Sequence, residues 1–505
     1  MRRIEIMDTT LRDGEQTNGV NFVPHEKLLI ARFLLQSARV DRIEAASARV
    51  SQGERESVSE ICAWAAKNGC LERIEVLGFV DGDTSASWIA GCGGKVMNLL
   101  TKGSERHCRE QLGKTPEQHI AEIRETIAAA IANGLEVNIY LEDWSNGIQN
   151  SPEYVFHLVE SLQDCGVRRF MLPDTLGVLS PSQVTEYVGR MVARFPGVHF
   201  DFHAHNDYDL AVANTLAAVE AGCSGVHTCV NGLGERAGNA ALSSVQAVLA
   251  DMAEVETGVD ESRLHELSRM VSSYSCTPIP ANRPIVGDNV FTQVAGVHAD
   301  GDKKNNLYCN NLIPERFGRK REYALGKTSG KANILKNLES MHLDLTPEQT
   351  RRVTDRIIEL GDKKETVTPD DLPFIVGDVL GHDLSQENVK LLSYMVSTAY
   401  GLKPTAIVKL EVKGKVYEEQ ASGDGQYDAF VRAVRHIFRD HLKMEFPWLS
   451  DYAVSIPPGG RTDALVQTRI DWDYNGRTLH TRGLDADQVE AAIKATMKML
   501  NIIVQ

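Results

Sequence analysis

Residues 3–16 read RIEIMDTTLRDGEQ: a short run with branched aliphatic residues meets a polar turn, and an amphipathic stretch follows. A β-strand followed by a helix has this texture, because alternating apolar residues suit a half-buried strand and a 3.6-residue apolar period suits a helix packed on it. The same unit recurs with strands predicted at Arg42–Ser47, Arg73–Phe79, Lys95–Thr101, Glu136–Asp143, Arg168–Asp174, Val198–His205 and Gly225–Gly232, besides Arg3–Asp8. Between them lie helical segments such as PEQHIAEIRETIAAAIANG (116–134), where Pro116 suits a first turn and Gly134 a helix end. Eight such units predict an α/β fold of the TIM (β/α)8 type. An open doubly wound sheet has no reason to stop at eight, and no GxGxxG follows the first strand.

Beyond residue 285 the pattern breaks into a Gly-, Asn- and Lys-rich stretch, GVHADGDKKNNLYCNNLIPERFGRKR (296–321), then helices with a Pro-containing connection at VTPDDLP (367–373). From residue 403 strand pairs return, AIVKLEVKGKVYEEQ (406–420) and ALVQTRIDWDYNGRTLHTRG (464–483), each followed by a helix. The expected division is a barrel over 1–285, linker subdomains over 286–402 and a C-terminal α+β domain with an internal repeat over 403–505. At 505 residues the chain has ample length for such cores without staples. Nine scattered cysteines with no CxxC pair, and no apolar leader run, predict a reduced, cytoplasmic protein. A net charge of -15 argues against nonspecific binding to nucleic acid, and no stretch is long and apolar enough to span a membrane.

In a (β/α)8 barrel the strand C-termini carry the chemistry. The first strand runs into Arg12 and Asp13, the fifth ends in Tyr140, Glu142 and Asp143, and the seventh ends in HAHND (203–207). His203 and His205, two apart on a strand, share a face, as two ligands of one ion require, and Asp13 adds a carboxylate. An HxH pair also fits a core strand, and Asp13 also fits a helix N-cap with Arg12 as its ion-pair partner. After the eighth strand, the glycines of NGLGERAGN (231–239) allow close backbone approach, and Asn239 offers a further oxygen.

DTTLRDGEQ, HAHND and NGLGERAGN together resemble the DRE-TIM metallolyases, and within them the Claisen-condensing isopropylmalate, citramalate and homocitrate synthases. The resemblance extends through GVHADGDKKNNLY, which these enzymes lend to the active site, to a C-terminal amino-acid-sensing domain. It implies a divalent cation, Mn, Mg or Zn, on Asp13, His203, His205 and Asn239, with acetyl-CoA as co-substrate. Arg12 is implied to polarise the oxo acid. Glu142 is the candidate base with His298 as second candidate, Tyr308 and Asp300 orient the thioester or water, and Thr175 meets the substrate carboxylate.

Within that family VLGFVDG, NLLTKGS and YLEDWSNG are similar to citramalate synthases, where Leu77, Leu100 and Tyr140 would close the pocket around pyruvate. Each alone also reads as barrel core. The expected product is (R)-citramalate, feeding isoleucine biosynthesis. The alternative is a 2-isopropylmalate synthase using 2-oxoisovalerate for leucine biosynthesis, and a superfamily aldolase or lyase and a non-enzymatic metal-bound sensor stand further off. In the C-terminal domain the resemblance implies an effector site of Tyr427, Asp428, Leu449, Tyr452, Ile456, Thr462, Val466 and Gln488 for a branched-chain amino acid, expected to be isoleucine. A homodimer is expected. The cluster Arg316, Arg319, Lys320 and Arg321 reads as a solvated surface or a site for CoA phosphates.

Overall fold

In a computed structural model the chain is described over residues 1–293, 310–325, 331–340, 345–362, 372, 375–376, 388–455 and 466–504. Eight parallel strands close into a barrel: β1 (Glu5–Asp8), β2 (Arg42–Ser47), β3 (Ile74–Phe79), β4 (Val96–Lys102), β5 (Glu136–Glu142), β6 (Val167–Asp174), β7 (Phe200–Ala204) and β8 (Gly225–Thr228). Closure comes from β8 pairing with β1, Glu5 opposite Gly225 and Asp8 opposite Thr228. These are the eight predicted strands, with Arg42–Ser47 unchanged and no end elsewhere moved by more than four residues. The last shortens most, because Val230–Gly232 turns into a short 3-10 segment.

Local chemistry sets the helices between them. Pro116–Ala132 begins with a capping box, Thr115 accepting from the Gln118 N–H and Gln118 reaching back, and Pro116 occupies the first turn where no N–H is needed. Pro181–Arg194 repeats the device with Ser180 and Gln183. Their apolar faces pack on the outward residues of the strands to form one continuous core that includes Ile43, Val76, Leu99, Ile139, Leu172 and Phe202.

The barrel interior is layered, as alternation along each strand requires. Near the strand N-termini a buried ionic layer joins Arg42 to Glu5, Glu75 and Asp201, and Arg169 to Glu75 and Glu5. Above it an apolar cluster of Met7, Leu77, Tyr140 and Met171, with Leu100 against it, is separate from the outer core. Buried charges there would be costly unpaired, so the ionic layer is stabilising only as a closed set.

Residues 1–291 and 309–321 cluster as one compact unit, and residues 292–308 with 322–505 as another. In the second, two three-stranded antiparallel sheets form: β9 (Val389–Ser397), β10 (Thr405–Val412) and β11 (Lys415–Ser422), then β12 (Trp448–Ser455), β13 (Val466–Tyr474) and β14 (Arg477–Asp485). Each is followed by a helix, Gln426–His436 and Gln488–Ile503, and both sheets and helices share one core built around Phe430, Phe438, Trp472 and Met499. The internal repeat is therefore strand-strand-strand-helix. Its first sheet begins at Val389, ahead of the change in texture at residue 403.

Candidate metal centre and active site

Asp13, His203 and His205 converge at the C-terminal end of the barrel, with one potential ligand atom from each lying within 4.8 Å of the others. Asp13 Oδ2 is 3.1 Å from His203 Nε2 and 3.9 Å from His205 Nε2. Asp13 makes no side-chain cap bond to the turn that follows it, so the N-cap alternative falls away. Four buried atoms at this place have no hydrogen-bond partner: Asp13 Oδ1, His203 Nδ1, His205 Nδ1 and Asn239 Oδ1. Orphaned buried polar atoms are costly in a finished core, and the approach of both histidine Nε2 atoms to Asp13 Oδ2, with Asn239 Oδ1 unpartnered nearby, fits a cation. One carboxylate, two imidazoles and an amide oxygen form a donor set that suits several divalent ions.

Asn239 is aimed by its surroundings. Its Nδ2 donates to the Leu233 carbonyl at 3.0 Å and lies 3.4 Å from Cys229 Sγ, leaving Oδ1 free. Its backbone bridges to His205. The loop that delivers it needs glycine: at Gly238, with φ +84°, a Cβ would stand 1.9 Å from the Gly232 carbonyl oxygen. Arg236 ties the loop to the β7 end through Asp207, at 2.7 and 2.9 Å, and to the β6 end through the Thr175 carbonyl at 2.8 Å.

Electrostatics favour the charge states a cation wants. Burial raises the Asp13 carboxyl, but Arg12, His203 and His205 more than reverse this and hold it well below the usual carboxylate range. Burial, with His203 beside it, lowers the His205 imidazole to about 4, so it is neutral and able to ligate near pH 7.

Arg12 stands beside Asp13, Nη1 to Oδ2 3.5 Å, and its Nε donates to Glu44 Oε2 at 2.5 Å. Its Nη2 reaches the Tyr140 hydroxyl at 3.5 Å, so both Nη groups make only long contacts and keep donor capacity. Glu44 is fully buried and is itself held by Asn98, Nδ2 to Oε1 2.8 Å, which accepts in turn from Asn138 at 2.8 Å. Tyr140 is 3.1 Å from His227 Nδ1, and His227 Nε2 is 3.2 Å from Asp201 Oδ2. Burial and the Glu44 charge push the Tyr140 phenol well above its ordinary value, so it remains a donor.

Of the other expected residues, Leu77, Leu100 and Tyr140 meet in the one apolar cluster inside the barrel. Glu142 lies at the end of β5 on the face of Tyr140 and pairs with Lys102. The Thr175 hydroxyl accepts from the Asp143 N–H at 3.0 Å, which orients it just after β6. His298, Asp300 and Tyr308 lie outside the described residues. Glu44, Asn98, Lys102, His227 and Arg236 were not singled out from sequence. Glu44, Asn98, Lys102 and His227 lie on β2, β4 and β8, where only barrel closure shows which face is inward, and Arg236 lies in the loop after β8.

In the C-terminal unit the rings of Tyr427 and Tyr452 lie 5.4 Å apart, and the Tyr427 hydroxyl meets Thr496 Oγ1 at 2.6 Å. Asp428 caps its own turn, accepting from the Asp424 N–H and from Arg432. Leu449 is on β12 opposite Trp472, Val466 opens β13, and Gln488 opens the last helix. Ile456 and Thr462 lie outside the described residues. The basic cluster is partly spoken for: Arg316 pairs with Asp251 and Glu261, and Arg319 donates to the Gly287 and Asp288 carbonyls.

A closed (β/α)8 barrel with a buried Asp-His-His cluster that could hold a metal ion at its catalytic end, and a separate repeat domain, defines a class of TIM-barrel enzymes with an appended domain. The HMGL-like family model matches residues 3–271, the homocitrate synthase post-HMGL domain-like model 285–365, and the LeuA allosteric (dimerisation) domain model 366–504. A putative (R)-citramalate synthase of Methanopyrus kandleri is 34% identical over 501 residues, covering 99% of this chain and 96% of its own. A probable 2-isopropylmalate synthase of the same organism is 36% identical, covering 99% and 98%. The (R)-citramalate synthase of Methanocaldococcus jannaschii is 34% identical, covering 99% of each. The chain belongs to the HMGL-like family, in its acyl-CoA-dependent citramalate and 2-isopropylmalate synthase group.

Proposed function

We propose that this enzyme condenses acetyl-CoA with pyruvate and hydrolyses the resulting thioester, giving (R)-citramalate and CoA. The observation that carries the reading is the apolar floor of Leu77, Leu100, Tyr140, Met7 and Met171 lying in the barrel that bears Asp13, His203, His205 and Asn239 at its mouth. Such a floor leaves the small methyl of pyruvate in apolar surroundings, and the bulk of its leucines and tyrosine would oppose a branched chain, each methylene being worth roughly 1–3 kcal/mol in a pocket. A 2-isopropylmalate synthase, favoured by a relative of equal similarity, needs room at this floor.

Asp13, His203, His205 and Asn239 would hold the divalent cation, which supplies Lewis acidity to the keto oxygen and carboxylate of the oxo acid. Arg12, locked by Glu44 and Asn98, brings the remaining donor capacity of its Nη groups to the side where alkoxide charge grows. Glu142 takes the proton from the acetyl methyl, with His298 as the second candidate base. Thr175, oriented by Asp143, meets the substrate carboxylate, and Tyr308 and Asp300 orient the thioester or the water that cleaves it. The barrel over 1–285 performs the condensation, 286–402 lends residues to it, and 403–505 senses a branched-chain amino acid, isoleucine, in a homodimer. Tyr427, Asp428, Leu449, Tyr452, Ile456, Thr462, Val466 and Gln488 line that effector site. The contact between the Tyr427 and Tyr452 rings supports it.

The direct test is thiol release from acetyl-CoA with Mg2+ or Mn2+ and a single oxo acid at a time. Release with pyruvate and formation of citramalate is expected. Absence of CoA release with every 2-oxo acid offered contradicts the proposal, and cleavage of a hydroxyacyl thioester without acetyl-CoA points to a lyase.

A further inference from the structure

Lys102 and Glu142 are register partners at the ends of β4 and β5, and their side chains form an ion pair at the rim of the barrel. Both belong to inward-facing sets, Lys102 continuing Asn98 and Leu100, and Glu142 continuing Asn138 and Tyr140. The Lys102 side chain is 13% exposed and that of Glu142 26%, so the pair is partly withdrawn from water.

The backbone under Lys102 is fixed from several directions. Its N–H donates to His119 Nε2 at 3.1 Å, and its carbonyl accepts from the Tyr154 hydroxyl at 2.9 Å. The next residue, Gly103, donates to the Glu142 carbonyl at 2.6 Å and has no room for a side chain, since a Cβ would stand 2.4 Å from the Leu141 oxygen. Burial keeps the His119 imidazole down at about 4, so it stays a neutral acceptor. An ordinary surface pair contributes little and needs no such anchoring. Here two helices' side chains and a strand end fix the backbone from which the ammonium reaches its one carboxylate partner.

We propose that Lys102 is a further catalytic residue, the cation that receives the enolate oxygen when Glu142 deprotonates the acetyl thioester. This rests on the reading of Glu142 as base. The methyl C–H bond breaks, its proton goes to a Glu142 oxygen, its electron pair forms the carbon–carbon double bond, and the carbonyl pair moves to oxygen. The negative charge thus leaves Glu142 for the thioester oxygen, and the Lys102 ammonium, which keeps its own protons, passes its hydrogen bond from one to the other. Attack of the enolate carbon on the ketone returns the electrons. A fixed cation within reach of both positions spares reorganisation at the moment of reaction.

The test compares Lys102→Met, Lys102→Gln, Lys102→Arg and Glu142→Gln in the full chain with Mg2+, by CoA release from acetyl-CoA and from trideuterated acetyl-CoA. Loss of the oxyanion partner is expected to lower kcat about 100-fold or more in Lys102→Met and Lys102→Gln. KM for pyruvate should stay near wild type, a primary deuterium effect on kcat should be present, and Lys102→Arg should recover much of the rate. Near-wild-type kcat in Lys102→Met or Lys102→Gln, with Glu142→Gln inactive, overturns the role of Lys102 alone. So does a loss without an isotope effect that Arg does not relieve. Wild-type turnover in Glu142→Gln removes the base itself, and this proposal with it.

Discussion

Replacing Glu44 with Gln changes one atom and no volume, yet neither orientation of the amide can satisfy its neighbours. Glu44 accepts from Arg12 Nε at 2.5 Å on one oxygen and from Asn98 Nδ2 at 2.8 Å on the other, and both partners are donors. The Gln NH2 must therefore face one of them. A charge-assisted hydrogen bond is worth about 1.5–3 kcal/mol, and a buried opposed donor adds to the loss, so about 3 kcal/mol is expected. If that loss falls on the placement of Arg12, kcat/KM drops about 100-fold at 1.4 kcal/mol per tenfold. At about 2 °C per kcal/mol the melting temperature falls by about 6 °C. The assay is CoA release over a range of 2-oxo acid, with thermal unfolding on the same preparation. A variant within threefold of wild type in kcat/KM and unchanged in melting temperature would refute the view that Glu44 locks Arg12.

Gly238→Ala forces a methyl group into the Gly232 carbonyl, so the loop that delivers Asn239 must shift, and calorimetric Mn2+ affinity should fall about tenfold or more; unchanged affinity would remove Asn239 from the cation site. Leu77→Ala and Leu100→Ala open the apolar floor and should shift the ratio of kcat/KM toward 2-oxoisovalerate by about 10-fold or more; an unaltered ratio would place selectivity elsewhere. Stability should fall in mild acid. Burial lowers His119 and His227 to about 4, below the unfolded value near 6.5, so the unfolded chain binds more protons between those pH values. Their contribution is complete above about pH 6.5 and is lost toward pH 4, about 1.4 kcal/mol per pH unit for each. Urea midpoints at pH 7 and pH 5 read this, and His119→Gln should flatten the slope; equal midpoints would contradict it.

The barrel was legible because each strand carries an alternating apolar set and each turn a cap, as at Thr115 with Gln118. Asp13, His203 and His205 were legible because two histidines on one strand face must share surroundings. Glu44, Asn98 and His227 were not, since a polar residue on a strand reads equally as an outward solvated position until closure fixes which face is inside. Lys102 is harder still: in sequence it opens a Gly-Ser turn, and only the register with Glu142 gives it a partner. In the repeat domain β9 was missed because apolar Leu392 and Met395 stand at exposed positions, so the run KLLSYMVS lacks the clean alternation of a half-buried strand.

The most direct measurement is a competition: equal concentrations of pyruvate and 2-oxoisovalerate with acetyl-CoA and Mg2+, the products separated and weighed against each other by mass spectrometry. Citramalate in large excess is the predicted result. A predominance of 2-isopropylmalate would contradict the reading of Leu77, Leu100 and Tyr140 as the floor of a pyruvate pocket.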